Sequence, residues 1–484
     1  MEITRRKVVT NVLWGFGEKI CAHLVSFIVS IIIARILSPK DYGTIALVLV
    51  FLDILQIFVD SGLGNALIQK KDADDLDFST VFIFNLIFCI VLYICIFYLS
   101  PLISHFYNNV ELTKIIRVLS VSILISGIKN IQYSYVSKKL IFKKFFFATI
   151  IGTIIAAIVG IVMAFRGFGV WALVAQQLTN NAIDTIILWF TVKWRPKFLF
   201  SVTRLKKLYS YGWKIFLTAL INCIYNKLRE MLIGKLYSPE DLAFYNRGYS
   251  LSYLIVSNVD GSISNVMLPA MADVQDNLER IRKIMVKLLE VTTYILVPCL
   301  IGVAAIAPNL IKVLLTDKWI NCVPFLQVFC ISFVFYPIYT ANLSAFKAVG
   351  KSDVYLKMEI VKKIIGFSIL MLSVRFGPFI MAITFLIERF LEVFIDSFPS
   401  KKLLNFSIIK QLKIVRANYL ISIIMGICVY FIGYFVKINL ICLVFLQIIS
   451  GILIYILLSV IFKNNTFNYL MNIVKVKLGW KNNV

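Results

Sequence analysis

Ionisable side chains inside long apolar runs are the residues of this sequence best placed to do chemistry. Glu18 and Lys19 stand within the run 11–37, and Asp53 and Asp60 within 42–69. Lys227, Arg229 and Glu230 stand within 209–236, and Arg247 within 241–270. A charge placed in hydrocarbon costs about 2.5–3.5 kcal/mol on insertion scales, so each one needs a partner or a use. Lys19, Lys227, Arg229 and Arg247 outnumber the acids Glu18 and Glu230. If these cations face a water-filled cavity, the surplus binds an anion. If they face protein, Arg247 pairs with Glu230 and Lys19 with Glu18 or another acid. Lys227 and Arg229 do not share a helical face. Asp53 and Asp60 are candidates either for carrying a coupling ion, Na+ or H+, or for closing salt bridges.

Two further polar groups read as structural. Gln176, Gln177, Asn180, Asn181 and Asp184 make one run polar, which suits hydrogen bonding between helices. Glu388, Arg389, Glu392 and Asp396 fall near four-residue spacing and suit an ion network at the inner face. Metal and nucleotide chemistry find no support. The two histidines, His23 and His105, are far apart, and the nine cysteines lack ligand spacing. The sequence has neither an HExxH nor a GxxxxGK[ST] motif. No cofactor, metal site or catalytic residue is expected, and the chain reads as a secondary transporter rather than an enzyme.

The elements that must hold these residues are membrane spans. Of 484 residues, 60% are hydrophobic and 15% charged, whereas soluble domains carry about 25% charged residues. Runs long enough to cross the hydrocarbon core lie at 11–37, 42–69, 78–104, 113–136, 145–165, 169–192, 209–236, 241–270, 285–306, 322–347, 354–374, 377–398, 415–435 and 438–461. The fold expected is an all-α polytopic membrane protein of about fourteen spans. Arg5, Arg6 and Lys7 precede the first run, but its length and its charges Glu18 and Lys19 argue for a retained span over a signal peptide.

The net charge of +25 is not a nucleic-acid patch, because the basic residues fall in every second loop. Lys138/Lys139/Lys143/Lys144, Arg280/Arg282/Lys283/Lys287 and Lys401/Lys402/Lys410/Lys413/Arg416 are three such clusters. The alternation predicts an even number of spans with both termini cytoplasmic. The bland role of these runs is topology and contact with anionic membrane lipids. The loops on the other face are short.

An internal repeat supplies the larger organisation. Ser38-Pro39-Lys40-Asp41 follows Ala34-Arg35, and Ser238-Pro239-Glu240-Asp241 follows Gly234-Lys235. Pro101-Leu102-Ile103 and Pro308-Asn309-Leu310 stand at matching places near the ends of the third and ninth spans. Six spans separate the copies, so both point the same way through the membrane. The expectation is two parallel six-helix lobes, 1–195 and 196–400, with residues 401–484 adding two helices and a cytoplasmic tail. A monomer is the default for such a two-lobed transporter.

Read in order, these motifs resemble those of the oligosaccharide flippase family, the polysaccharide exporters of the multidrug/oligosaccharidyl-lipid/polysaccharide superfamily. The similar segments are Trp14, Glu18-Lys19 and Ala34-Arg35-Ile36-Leu37-Ser38-Pro39-Lys40-Asp41-Tyr42-Gly43. Gly62-Leu63-Gly64-Asn65-Ala66-Leu67-Ile68-Gln69, Trp194-Arg195-Pro196, Leu232-Ile233-Gly234 and Tyr245-Asn246-Arg247-Gly248-Tyr249 follow. Leu268-Pro269-Ala270 and Lys318-Trp319 complete the series. The resemblance implies flipping of an undecaprenyl-diphosphate-linked oligosaccharide repeat unit across the bacterial inner membrane by alternating access. The product would feed capsule, O-antigen or exopolysaccharide synthesis, with a polysaccharide polymerase and export machinery as partners. Glu18, Lys19 and Arg247 occupy motif positions, whereas Arg229 and His23 depart from the family's usual Asp and Gln. Two other readings stay open: a multidrug-and-toxin-type exporter, whose cationic substrates call for an acidic cavity, and an integral membrane glycan polymerase, which the short outer loops disfavour.

Overall fold

The computed structural model describes residues 22–60, 62–139 and 141–477. Glu18 and Lys19 lie outside them. Among the described residues the chain is helical and contains no strand. The helices are α1 (Ala22–Ile36), α2 (Pro39–Asp60), α3 (Leu63–Gln69), α4 (Asp75–Phe106), α5 (Glu111–Leu119), α6 (Val121–Lys139), α7 (Lys143–Phe165), α8 (Val170–Thr191) and α9 (Val202–Leu236). After them come α10 (Pro239–Ala272), α11 (Leu278–Leu315), α12 (Val323–Phe333), α13 (Tyr336–Ala348), α14 (Ser352–Ser373), α15 (Pro378–Leu404), α16 (Ile408–Phe435), α17 (Leu440–Ile461) and α18 (Asn465–Lys477). A 3-10 turn, Asp317–Cys322, leads into α12.

The protein is a multi-pass membrane protein. Seven stretches of the described residues are by themselves long and apolar enough to cross a bilayer. They are Pro39–Gln69, Asp75–Phe106, Lys143–Phe165, Leu278–Leu315, Asp317–Ala348, Ile408–Phe435 and Leu440–Ile461. The described residues of the other expected spans are helical too, but α6, α8, α9, α10, α14 and α15 carry charges, amides or hydroxyls that lower their hydropathy. The all-helical class therefore stands, while composition alone does not fix the number of spans at fourteen.

The repeated Ser-Pro-x-Asp motif has a local physical cause. Ser38 Oγ donates to Asp41 Oδ2 (2.6 Å), the Ser38 amide donates to the same carboxylate (3.0 Å), and the Asp41 amide donates back to Ser38 Oγ (3.3 Å). Ser238 and Asp241 repeat these three bonds at 2.8, 3.2 and 3.0 Å. Each is a reciprocal capping box that satisfies the first amides of α2 or α10. Proline at the first helical position gives up only an N–H that has no partner there. The chain thus reverses through two residues, Leu37-Ser38 or Tyr237-Ser238. The copies also touch: a Cβ on Gly43 would lie 1.8 Å from the Pro239 carbonyl oxygen.

Two compact units result, Met1–Ala243 and Phe244–Val484. In the first, α7 packs along α8 through a stripe of small buried residues, Ala148, Gly152, Ala156, Gly160 and Ala164, spaced one turn apart. Small side chains let helix backbones approach where no hydrophobic gradient drives them together. The seventh expected span, α9, packs on α2 and α3 in this unit. Gly62 is left-handed at φ +69°, and a Cβ there would lie 2.2 Å from the Gly212 carbonyl oxygen of α9. At the base of α4, Asp74 caps the helix by accepting from the Asp77 amide (3.0 Å), and Arg204 donates to both of its oxygens (2.6 and 2.7 Å). The amide bond first, then the guanidinium, hold the Asp74 carboxyl down to about 2.

In the second unit, the 38-residue α11 buries one face along its length and packs on α12, α13, α16 and α17. Polar ties fasten the last spans to it. Asn418 Nδ2 donates to the Glu290 carbonyl (3.2 Å) and Thr293 Oγ1 (2.9 Å), and Tyr455 Oη donates to the Tyr294 carbonyl (2.9 Å). Helices α16 and α17, outside the repeat, therefore belong to this unit.

Candidate functional site

A polar cavity of about 550 Å³ opens within the first unit. Its walls follow from helical periodicity. On α2, Leu49, Asp53, Gln56 and Asp60 recur at intervals of three or four residues and share one face. Ser122, Ser126, Lys129, Asn130 and Tyr133 do the same on α6, and Gln177 and Asn181 on α8. Gly64 and Asn65 of α3 close one side. The break before α3 interrupts the helical hydrogen-bond ladder, and Asn130 Nδ2 donates to the Val59 carbonyl (3.2 Å) beside it.

Most charges in and beside the cavity have an ion-pair partner, while Asp60 meets an amide. Lys227 of α9 lies 2.9 Å from Asp53 and 3.1 Å from Glu230 on its own helix. Lys129 bridges α6 to α8 by an ion pair with Asp184 at 3.0 Å. Gln56 Nε2 donates to Asp60 at 3.3 Å. The surfaces that remain are amides, hydroxyls, the Tyr133 ring and partly exposed charges: Asp53 at 49% and Lys129 at 25% side-chain exposure. This lining exchanges hydrogen bonds with a polyhydroxylated solute and holds both signs of charge at fixed places.

The sequence-derived residues divide as follows. Asp53 and Asp60 line the cavity, and Lys227 reaches it through Asp53. Arg229 lies about 200° round α9 from Lys227, and is buried at 8% exposure. Arg247 belongs to the second unit, where its guanidinium sits 5.1 Å over the fully buried ring of Trp319. Its motif neighbours also have work there. Tyr245 meets Phe325 and Phe329, and Tyr249 meets Phe329, Phe333 and Phe385. A Cβ on Gly248 would lie 2.7 Å from the Leu326 amide.

Lys129 escaped the sequence reading, although a lysine in the expected span 113–136 meets the same criterion as the charges that were singled out. The polar residues of α8 separate by face. Gln177 and Asn181 face the cavity, while Gln176 and Asn180 pack on the glycines of α7.

A second buried charge group lies in the second unit. Lys362 of α14 is 5% exposed and contacts Glu359 (2.5 Å) and Asp396 of α15 (3.0 Å), beneath the Tyr339 ring. Arg389 pairs with Glu392 at 2.6 Å and stacks on Phe385 at 4.7 Å. Glu388, Glu392 and Asp396 are buried as well. The ion network read from α15 alone is thus tied across to α14 by residues that the reading did not name.

Comparison with known proteins places this architecture among relatives. A family model described as polysaccharide biosynthesis protein matches residues 32–324, more than half of the chain. The teichuronic acid biosynthesis protein TuaB of Bacillus subtilis is 24% identical over 351 residues, 72% of each chain. The lipopolysaccharide biosynthesis protein WzxC of Escherichia coli is 24% identical over 366 residues, 74% of this chain and 73% of that one. Among solved structures, the lipid II flippase MurJ in an inward closed conformation superposes with a TM-score of 0.77 at 16% identity, covering 94% of this chain and 100% of that one. An inward-facing multidrug resistance transporter of the MATE family gives 0.61 at 14% identity, covering 82% and 96%. At these identities the structures establish a shared fold.

Proposed function

Since the chain belongs to the polysaccharide biosynthesis protein family, we propose that it moves an undecaprenyl-diphosphate-linked oligosaccharide repeat unit from the cytoplasmic to the outer leaflet of the inner membrane. The observation that carries this reading is the amide- and hydroxyl-lined cavity of about 550 Å³, set among the helices of a multi-pass chain. Sugars are recognised by such groups, and a polar recess offers them hydrogen bonds that hydrocarbon cannot. Relatives named for teichuronic acid and lipopolysaccharide biosynthesis support the class of cargo. In the second unit, an apolar groove of about 820 Å³ is walled by Ile301, Ile331, Val334, Ile423, Ile427 and Phe431. Its chemistry suits an isoprenoid chain.

In this reading the protein is a transporter, without a catalytic residue or resident cofactor, and works by alternating access. Both termini face the cytoplasm, as the alternation of basic loops requires. Lys19, Lys227, Arg229 and Arg247, with Glu18, are each individual candidates for meeting the diphosphate. Asp60 accepts the coupling ion, H+ or Na+, and Asp53 balances Lys227. A multidrug exporter of the same fold, moving cations, would need uncompensated acids; of the two acids in the cavity, Asp53 is matched by Lys227 at 2.9 Å. The chain acts as a monomer beside a polymerase and export machinery.

Deletion of the gene with analysis of lipid-linked intermediates tests the proposal. Undecaprenyl-linked glycan is expected to accumulate on the cytoplasmic side as surface glycan falls. Unchanged surface glycan without accumulation overturns it. Arg247→Ala at normal protein level is expected to abolish complementation.

A further inference from the structure

A separate concavity lies at the ends of the spans instead of among them. It has a volume of about 450 Å³ and gathers Arg282 and Val286 of α11, Phe406 from the turn after α15, and Lys410, Lys413 and Ile414 of α16. Three cations from two helices converge on it, and no carboxylate lines it. Glu279, one turn before Arg282, is engaged by Lys283 at 3.1 Å. Lys410 is held in place, its Nζ donating to the Asn405 carbonyl (3.0 Å), where the chain adopts φ +50° to end α15.

The level of the pocket narrows what it can bind. Arg282, Lys410 and Lys413 stand in the first two turns of α11 and α16, which are both long and apolar enough to span a bilayer. The cations therefore sit where hydrocarbon gives way to headgroups, and Val286, Phe406 and Ile414 supply apolar surface beside them. Cations above an apolar floor match a phosphate ester joined to acyl chains. A basic loop that only sets topology needs no concavity, and its side chains need not converge.

We propose that this pocket is a binding site for the headgroup of an anionic phospholipid of the phosphatidylglycerol or cardiolipin class. The proposal does not rest on the transport reading. Arg282 and Lys413 contact the phosphate, Lys410 holds the glycerol phosphate against the Asn405 turn, and the acyl chains run down beside Ile414. The bound lipid ties the start of α11 to the start of α16.

The test uses the full chain in nanodiscs of phosphatidylcholine, with phosphatidylglycerol titrated in and retained lipid counted by native mass spectrometry. Lys410→Gln/Lys413→Gln is expected to weaken retention about thirtyfold, from two near-surface cations. Lys401→Gln/Lys402→Gln removes the same charge from the same basic run outside the pocket and is expected to change retention less than threefold. A photoreactive phosphatidylglycerol on the unaltered protein is expected to label residues 405–414, a readout that needs no variant to fold. Equal losses in the two variants, unchanged retention, labelling elsewhere, or equal stabilisation by inorganic phosphate alone would each overturn the proposal.

Discussion

Gly62 offers a test in which two energetic costs can be separated. Alanine at this position meets a left-handed backbone, φ +69°, and a neighbouring carbonyl oxygen 2.2 Å from its Cβ. The first cost is about 1–2 kcal/mol for a residue with a Cβ. The second requires α3 and α9 to separate by at least 0.8 Å to restore the 3.0 Å that Cβ atoms tolerate. Overpacking of this kind costs about 1–3 kcal/mol, so Gly62→Ala is expected to lose about 2–5 kcal/mol in all. Two other glycines isolate the components. Gly167 has φ +80° with nothing within 4 Å of its Cβ position, so Gly167→Ala pays only the backbone cost. Gly43 is helical but would place a Cβ 1.8 Å from the Pro239 oxygen, so Gly43→Ala pays only the steric one. Unfolding in nanodiscs should place Gly62→Ala well below Gly167→Ala in stability, by a steric share no larger than the whole Gly43→Ala loss, since Gly43 lies closer to its neighbour (1.8 Å against 2.2 Å). If Gly62→Ala behaves like Gly167→Ala, the close approach of α3 and α9 is wrong, and with it the wall of the cavity.

Lys362→Met removes one member of a buried ion group and is expected to cost about 3–5 kcal/mol in the same assay, with part regained on adding Asp396→Asn; a neutral single variant would contradict the contacts of 2.5 and 3.0 Å. Lys129→Met and Asp184→Asn should show a coupling of about 0.5–3 kcal/mol in a double-mutant cycle, because the pair joins α6 to α8; simple additivity refutes it. Lys227→Met is expected to impair surface-glycan export, with Lys227→Met/Asp53→Asn recovering it only if neutralising Asp53 is the lysine's task. For Asp74, the folded carboxyl is held down to about 2, below its unfolded value near 4. Its contribution is therefore complete above about pH 4 and lost as pH falls through about 2. Asp74→Ala should cost about 0.5–2 kcal/mol at neutral pH and nothing at the acid end; a pH-independent difference counts against the cap.

How far the sequence foretold this arrangement depends on the distance over which each residue acts. The Ser-Pro-x-Asp turns were legible because a capping box is closed within four residues, and the same local logic marked every expected span as helical. The Lys227–Asp53 pair was not legible, since 174 positions separate the partners and only the packing of α9 on α2 joins them. That packing also places α9 in the first unit, whereas the repeat alone assigns the seventh span to the second half. Glu388, Glu392 and Asp396 were visible from their spacing, but Lys362 came from another helix, and no periodicity links the two. Lys129 stood in plain sight, in a span whose serines and amides made one more polar residue unremarkable.

The break between α2 and α3 has a consequence for hydration. A left-handed glycine caps α3 inside a stretch apolar enough to span, and a helix end exposes carbonyls that a continuous helix would satisfy. Asn130 supplies one N–H, to Val59. Lipid tails supply none, so a carbonyl there without a protein donor draws on water. The polar cavity beside the break offers that water a place whether or not cargo is bound. A solvated recess this deep leaves a thinner dielectric barrier over the remaining thickness. The membrane potential therefore falls most steeply across whatever part of the protein seals it from the far side, which is where a voltage-dependent step would draw its driving force.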